Sequence, residues 1–457
     1  MFPGRPAANP GPRTADGSGV ALPRAERSPE MPVEIPGLTG GRGLACAGVV
    51  VGHVVAFTAP HSPAARALAP LANSCVTFFF ALSGFLLGRP FLAAIAGTAV
   101  RPQLRRYARQ RVLRIFPGYL AIFLVSDFLL RAVYVANATL TQRPRTDAGT
   151  GTITAPVRLL QQLTLTHDFA PGQLQTGINP SWSITTELCF YAVLPVLGAA
   201  GLALVRRGVP PLRAALRLPL LLVAFGLIAK GVDAMGQVRS GMDIGQAQFG
   251  ATWLAVFSRS LLVYADAFGW GMAAALLYSW PRSRRDGPDR VRRSALIAPA
   301  AVLVAALVGG FGWAVADDHY ESAQAAFALT AGAILVAATH RTTTGRAPWI
   351  GRAMDWRPFH FLGRISYSLY LLHYPVLIVT TRAGWIGNTS PTGLVRSLVV
   401  VFVVAVAGST LTYELIERPA LRWGARGAAR TSAPPAAPVG APVGAPVAPV
   451  PPQPLPL

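Results

Sequence analysis

Arg42 and His53, eleven positions apart at the start of the first long apolar segment, are the first pair that could do chemistry. At about 1.5 Å per helical residue, His53 lies roughly 16 Å along that segment, near the middle of a bilayer. A neutral imidazole at that depth can accept a proton from a hydroxyl group. The structural alternative is a hydrogen bond to a neighbouring helix, and the sequence leaves both open.

Three arginines, Arg109, Arg111 and Arg114, precede the third apolar segment and are followed by Ile115 and Pro117. Guanidinium groups bind phosphate oxygens through paired hydrogen bonds. The cluster could therefore hold a phosphorylated cytoplasmic molecule such as coenzyme A, which carries a pyrophosphate and a 3′-phosphate. Basic residues at a helix end also anchor cytoplasmic loops, and that role accounts for part of the cluster.

The fourth apolar segment begins with a polar cluster that includes Trp182, Ser183 and Glu187. The tryptophan suits the membrane interface, and either Ser183 or Ser181 could cap the helix. Glu187 lies about one and a half turns farther in, where a carboxylate is costly in hydrocarbon. We therefore favour a function for Glu187, in which it orients a hydroxyl or pairs with His53.

Two polar residues of the ninth apolar segment, Tyr370 and His373, are three positions apart and share a helix face. His373 lies at a depth similar to that of His53. Contact with an acceptor molecule and hydrogen bonding between helices are equally good interpretations of this pair. Farther along the chain, Glu417 and Arg418 are most simply an ion pair at the membrane surface, where a helix stops.

The composition indicates which kind of scaffold must position these residues. Of the 457 residues, 13% are charged and 52% are hydrophobic, and the mean hydropathy is +0.43. Soluble proteins carry about 25% charged residues, and a soluble chain of this size could not bury so much apolar surface. We predict an all-α polytopic membrane protein, because helices satisfy their own backbone hydrogen bonds in lipid. The ten predicted segments of near-spanning length are 44–60, 73–95, 112–136, 179–204, 218–236, 257–280, 295–316, 323–339, 365–383 and 393–415.

The charge of the chain is one-sided, with 41 Lys and Arg against 19 Asp and Glu and a net charge of +22. With the N-terminus placed inside, about 30 of the basic residues fall on one side of the membrane. The positive-inside rule then places both termini in the cytoplasm. Because the charge is explained as a topology signal, nucleic-acid binding is not expected.

Three parts of the chain differ in composition. Residues 1–36 and 425–457 lack periodicity and are rich in Pro, Gly or Ala, so both are predicted to be disordered tails. Residues 37–424 form the predicted transmembrane domain. Its three cysteines lie in apolar runs without metal-ligand spacing, so reduced thiols and no bound metal are expected.

Taken in order along the chain, these residues resemble the motifs of the acyltransferase 3 family of integral membrane O-acyltransferases. Each motif is weak alone, but six in family order between residues 42 and 419 are specific. The matches are Arg42 and His53 for R-x10-H, Phe79 to Phe85 for FxxLSGF, Arg111 to Pro117 for RxxRIxP, Trp182 to Glu187 for WSxxxE, Ser366 to His373 for SYSLYLLH, and Glu417 to Pro419 for ERP.

The resemblance implies ten spans, a cytoplasmic acyl-CoA donor and transfer of an acyl group to a hydroxyl, usually on a sugar. Some family members fuse an esterase-like domain after the last span, whereas this chain continues into low-complexity sequence and is expected to be the stand-alone form. Acyl-CoA, expected to be acetyl-CoA, is a co-substrate, and no bound cofactor is expected. The richness in Ala, Arg, Pro and Gly suggests the plasma membrane of an actinobacterium-like cell.

By this resemblance, His53 is the general base or carries the acyl group transiently, and Arg42 and Glu187 complete the catalytic set. The phosphates of acyl-CoA are expected on the three clustered arginines, with the pantetheine arm running toward the membrane centre. The residues expected to bind the acceptor are Trp182, whose ring could stack on a sugar, Ser183, Tyr370 and His373.

Two alternatives remain open on the sequence. Within acyl transfer, the acceptor could be the sugar of a macrolide-type antibiotic instead of an envelope glycan, and the acyl chain could be longer than acetyl. Outside acyl transfer, ten spans with buried charges also fit a secondary transporter or a flippase. The sequence contains no internal repeat and no matching pair of Gly- or Pro-broken helices, which counts against transport.

Overall fold

The computed structural model describes most of the predicted transmembrane domain. The predicted tails, 1–36 and 425–457, lie outside the described residues except at their inner ends, where a helix continues to Thr431. The described residues are 35–60, 62–137, 147–279, 288–316, 318–340, 348–387 and 390–431.

Helices dominate the described residues, because long apolar runs in lipid must satisfy their backbone groups internally. The helices are α1 (Leu38–Thr58), α2 (Pro63–Ile95), α3 (Leu104–Leu124), α4 (Pro156–Leu163), α5 (Trp182–Arg206), α6 (Pro211–Ser240), α7 (Ile244–Phe249), α8 (Trp253–Ser258), α9 (Leu261–Ser279), α10 (Pro288–Ala314), α11 (Tyr320–Thr339), α12 (Trp349–Met354), α13 (Arg357–Arg382), α14 (Pro391–Thr412) and α15 (Arg418–Thr431). Single π-helical turns extend α3 over Val125–Leu129 and join α14 to α15 over Tyr413–Glu417.

Nine helical segments within the described residues are long and apolar enough to cross a membrane. They correspond in order to nine of the ten predicted segments, so the prediction of a polytopic all-α membrane protein is confirmed. The remaining segment, 365–383, lies in α13, which has 26 residues but is interrupted by polar side chains. Those side chains face the protein, because the buried residues of α13 include Ser366, Ser368, Tyr370 and His373.

Helix α2 lies at the centre of the bundle, with α1 on one side and α9 on the other. Helix α9 also packs against α6 and α11, and α1 packs against α13. The α2–α9 contact depends on glycine. A Cβ added at Gly271 would lie 1.8 Å from the carbonyl oxygen of Ala81, and one added at Gly84 would lie 2.2 Å from that of Phe268. Small residues of this kind let membrane helices approach through their backbones.

The start of α1 is held by a carboxylate from a distant part of the chain. Gly37 has a φ of 89°, a left-handed conformation that favours glycine. The backbone N–H groups of Gly37 and Gly40 donate to the carboxylate of Asp355, at 2.5 and 3.3 Å. A carboxylate satisfies these free donors and complements the helix dipole. Since Asp355 lies between α12 and α13, it joins the beginning of α1 to the beginning of α13. This contact fixes the position of Arg42, in the first turns of α1, along the axis of α13.

The stretch that joins the third and fourth predicted segments contains regular structure among its described residues. At its boundary a two-stranded antiparallel sheet forms, and Arg382 at the end of α13 donates to Asp147 at 2.6 Å and to the carbonyl of Leu130 at 2.9 Å. This arginine ties the segment to the bundle. The regular elements, besides α4, are β1 (Val133–Tyr134), β2 (Thr150–Gly151) and the 3₁₀ turns His167–Phe169, Pro171–Gln173 and Asn179–Ser181.

Candidate active site

A cavity between α1, α2, α3, α5 and α13 brings together residues that lie far apart in the sequence. Its lining also includes aromatic and aliphatic side chains, among them Phe79, Phe80 and Tyr367. The predicted site residues that line it are Arg42, Arg111, Arg114, Ser183, Glu187 and Tyr370. The structure therefore gathers six of the ten candidates into one place.

The cavity carries more positive than negative charge. Three guanidinium groups line it, those of Arg42, Arg111 and Arg114, against the single lining carboxylate of Glu187. The Nε of Arg111 is buried and has no hydrogen-bond partner in the part of the chain that the structure describes. A buried donor without a partner is costly, so the cavity is suited to an anionic ligand that accepts hydrogen bonds.

The carboxylate of Glu187 contacts α2. It accepts a hydrogen bond from the hydroxyl of Ser83, in the Leu82–Ser83–Gly84 stretch of α2. Of the two alternatives for Glu187, a pairing with His53 is not seen among the described contacts: Glu187 pairs with Ser83, and Nδ1 of His53 pairs with His373. Glu187 is therefore fixed between α5 and α2 with its charge facing the arginine-lined cavity.

Ser183 and Tyr370 form one wall of the cavity. Their hydroxyl oxygens lie 2.7 Å apart, and Ser183 also donates to the carbonyl of Pro180 at 3.1 Å. Neither Ser183 nor Ser181 caps α5 through its side chain, contrary to one sequence interpretation. The hydroxyl pair instead joins the beginning of α5 to the middle of α13.

Two histidines form a pair beside this wall. The Nδ1 of His53 and the Nε2 of His373 lie 2.9 Å apart, and their rings are stacked with centroids 5.1 Å apart. The ring of Tyr370, which lines the cavity, lies 6.2 Å from that of His373. His373 is completely buried, whereas His53 is partly exposed. The similar depth of the two histidines was the sequence signal for this contact, but depth alone does not make two helices neighbours.

Like the two histidines, Arg109 and Trp182 are not part of the cavity lining. The exposed side chain of Arg109 places its guanidinium over the ring of Trp423, 4.9 Å from the centroid. Trp182 is 7% exposed and packs against Phe80 and the guanidinium of Arg259, which lies 4.7 Å from its ring. This packing does not fit the expectation that Trp182 stacks on a sugar.

Glu417 is the residue whose role sequence reasoning missed. It is buried, accepts a hydrogen bond from the hydroxyl of Ser368 and lies 3.5 Å from Arg114. The expected pairing of Glu417 with Arg418 is wrong, since Arg418 pairs with Glu414. The π-helical turn before α15 shifts the register of these acidic residues, and no simple sequence pattern reports such a turn.

A buried Ser, His and Asp group lies outside the cavity but lacks the geometry of a catalytic relay. Ser181 Oγ and Asp168 Oδ2 approach the same nitrogen, Nε2 of His167, at 3.2 and 3.4 Å. A relay needs one partner at each ring nitrogen. Burial raises the pKa of the Asp168 carboxyl, opposed by His167 and by the hydrogen bond from Thr185. The group holds the 3₁₀ turns against the start of α5.

One ion pair lies deep between α6 and α9. Lys230 Nζ and Asp266 Oδ1 are 2.5 Å apart, and Lys230 also donates to the carbonyl of Val263. The sequence alone assigns these residues no role, and their contacts join two neighbouring spans. Among the described residues, no group of three or more His, Cys, Asp or Glu side chains could hold a metal ion.

The part of the chain that matches a known protein family covers most of the helical bundle. The family described as Acyltransferase domain matches residues 35–414, which is most of the chain. The chain belongs to the acyltransferase 3 family. The family assignment favours acyl transfer, the reaction class that the motif order predicts, over the transport that the sequence left open.

Two similar proteins carry names that bear on the reaction. YrhL of Bacillus subtilis (strain 168), named as a peptidoglycan O-acetyltransferase, is 24% identical over 359 residues, which cover 77% of this chain and 51% of YrhL. Acyltransferase MdmB of Streptomyces mycarofaciens is 25% identical over 410 residues, which cover 86% of this chain and 93% of MdmB. The chain thus spans about half of the first relative and nearly all of the second. No solved structure gives a significant match.

Proposed function

We propose that this acyltransferase moves an acyl group, expected to be acetyl, from cytoplasmic acyl-CoA to a hydroxyl of a carbohydrate or glycosylated acceptor at the plasma membrane. The observation that carries the proposal is the cavity that places three arginines at one end of α1, with His53 farther along the same helix. The name of YrhL, a peptidoglycan O-acetyltransferase, supports a carbohydrate hydroxyl as the acceptor.

The charge of the cavity suits the phosphates of coenzyme A. Its phosphates would meet Arg42, Arg111 and Arg114, and each hydrogen bond between charged groups contributes about 1.5–3 kcal/mol. Arg42 and His53 lie on the same face of α1, roughly 16 Å apart along its axis. In the proposal the pantetheine arm runs from the arginine end toward the imidazole, past the buried residues Cys46 and Val49 of this face.

The imidazole of His53 supplies the proton transfer in this proposal. As the acceptor oxygen attacks the thioester carbonyl, Nε2 of His53 takes the hydroxyl proton. The new C–O bond forms, the C–S bond breaks, and the imidazolium returns the proton to the departing thiolate of coenzyme A. Glu187, held by Ser83, would orient the acceptor hydroxyl at the cavity side of this step.

The donor and the base are tested with detergent-purified protein and acetyl-CoA. A thiol reagent measures the release of coenzyme A with and without acceptor. We expect His53→Ala to lose about 10²-fold or more of the rate while it still inserts and purifies normally. Normal turnover by this variant would contradict the base assignment. Movement of a solute across vesicles without thiol release would contradict acyl transfer itself.

The acceptor class is tested by mass spectrometry of envelope glycans and secreted metabolites from a deletion strain and its parent. Loss of an acetyl group from an envelope glycan is the expected result. Loss of an acyl group from a glycosylated secreted metabolite would point instead to the macrolide-type acceptor that the sequence left open. Unchanged acylation of both classes would contradict the proposal.

A further inference from the structure

The hydrogen bonds of His373 define where its proton lies. Its Nδ1 is 3.1 Å from the carbonyl oxygen of Leu369, one turn earlier in α13. A carbonyl oxygen can only accept, so Nδ1 of His373 carries the proton. In a neutral imidazole the other nitrogen is then an acceptor. The Nε2 of His373 therefore presents a lone pair to its neighbour.

The same reasoning extends to His53. Because Nε2 of His373 accepts, Nδ1 of His53 must donate across the 2.9 Å contact. A neutral His53 then has its lone pair on Nε2. This nitrogen makes no hydrogen bond within the described part of the chain, and the side chain is partly exposed. The pair therefore leaves the free lone pair on the accessible histidine.

Packing restrains both rings in this arrangement. The two imidazoles are within 7° of parallel. The ring of Tyr374 meets both edge-on, with its centroid 5.3 Å from that of His53 and 5.8 Å from that of His373. Phe57 packs edge-on against Tyr374 in turn. Rotation of either imidazole would break the stacked contact or press on this aromatic wall.

We propose that His373 is a positioning residue that holds His53 in the tautomer with its lone pair on Nε2. The inference rests on the proposed role of His53 as the base. His373 itself has no exposed surface, and both of its ring nitrogens already have hydrogen-bond partners. It therefore has no free group with which to bind the substrate that receives the acyl group. When His53 takes a proton, the bond to His373 keeps the imidazolium in place, as the buried carboxylate does in a serine protease triad.

Two substitutions of His373 separate this role from simple packing. His373→Leu removes the acceptor lone pair, whereas His373→Gln can return one through its side-chain oxygen. We expect His373→Leu to lower kcat about 10²-fold with little change in KM for acetyl-CoA, and His373→Gln to recover part of the loss. Normal kcat in His373→Leu, or equal losses in the two variants, would overturn the proposal.

The double variant asks whether His373 acts through His53. Residues that act as a unit give strongly non-additive losses. We expect His53→Ala with His373→Leu to be no slower than His53→Ala alone. If the double variant is slower than His53→Ala by the factor that His373→Leu loses alone, His373 acts independently of His53, which contradicts the proposal.

A measurement on the unaltered protein applies even where His373→Leu fails to fold. In ¹⁵N-histidine-labelled protein, the nitrogen shifts of His53 report which ring nitrogen is protonated. A proton on Nδ1 is expected, and a proton on Nε2 overturns the inference. Normal turnover by His53→Ala would remove the proposed function together with the inference. An inactive His53→Ala beside a fully active His373→Leu would remove the inference alone.

Discussion

Three arginines that look alike in the sequence have different surroundings in the protein. Arg111 and Arg114 are three residues apart and line the cavity, whereas Arg109 is exposed and covers Trp423. Arg114 is also held by the buried carboxylate of Glu417. The rotation of α3 about its axis decides which of these guanidinium groups can meet a phosphate.

This difference gives a matched pair of variants. We expect Arg111→Gln to raise KM for acetyl-CoA about 10- to 100-fold, because a hydrogen bond to a charged group is worth about 1.5–3 kcal/mol. Arg109→Gln removes the same charge from the same helix outside the cavity, so its KM should stay near that of the unaltered protein. Steady-state kinetics of thiol release measure both. A similar rise in both variants would assign the effect to general surface charge.

At the scale of elements, the site depends on helices that approach through glycine. Helix α2 carries Ser83, the partner of Glu187, and meets α9 where Gly271 faces the carbonyl of Ala81. Any added side chain at Gly271 must move one of the two backbones. Because α2 is the central helix, such a movement would reach the cavity wall that it forms.

We expect Gly271→Ala to lower the free energy of unfolding by about 1–3 kcal/mol, since its Cβ would overlap the Ala81 carbonyl. Gly310→Ala, in α10, is the control because no described atom lies within 4 Å of an added Cβ. Alanine is a better helix former by about 1 kcal/mol, so this control should be neutral or slightly stabilising. Thermal unfolding in detergent, followed by tryptophan fluorescence, compares them, and equal destabilisation would refute the close-contact explanation.

At the scale of the whole molecule, the beginning of α1 and the middle of α3 lie near the end of α14 around the cavity. The contact between Arg114 and Glu417 joins the middle of α3 to the π-helical turn after α14, and Arg42 of α1 lines the cavity beside them. Arg42 near the beginning of α1 and the arginine-rich first half of α3 therefore lie toward the same end of the bundle. The positive-inside rule predicts that this end faces the cytoplasm, where acyl-CoA is available.

Reporter fusions test this orientation. Green fluorescent protein, which fluoresces when it folds in the cytoplasm, is fused after Arg207 between α5 and α6 or after Trp385 between α13 and α14. We expect fluorescence from the first fusion and little from the second, because the predicted topology places them on opposite sides. The reverse pattern would invert the predicted topology and place the arginine end of the cavity away from cytoplasmic acyl-CoA.

The membrane-spanning helices could be predicted from the sequence because each depends on the apolar residues of its own segment. Each span must supply about 20 mostly apolar residues wherever it lies in the fold, so hydropathy along the chain identifies it. The same holds for the order of the short motifs, which indicated the family. Even α13, the least apolar predicted span, is a helix of 26 residues, with its polar side chains buried against the protein.

The partners within the site were decided by the tertiary structure. His53 and His373 are 320 residues apart in sequence, and only the packing of α1 against α13 makes them neighbours. The contact of Glu417 with Arg114 depends on a π-helical turn, and the exclusion of Arg109 depends on the rotation of α3. Sequence alone determined how deep each polar group lies along its helix. Which groups touch depends on helix rotation and helix neighbours, and both are set by contacts among many residues at once.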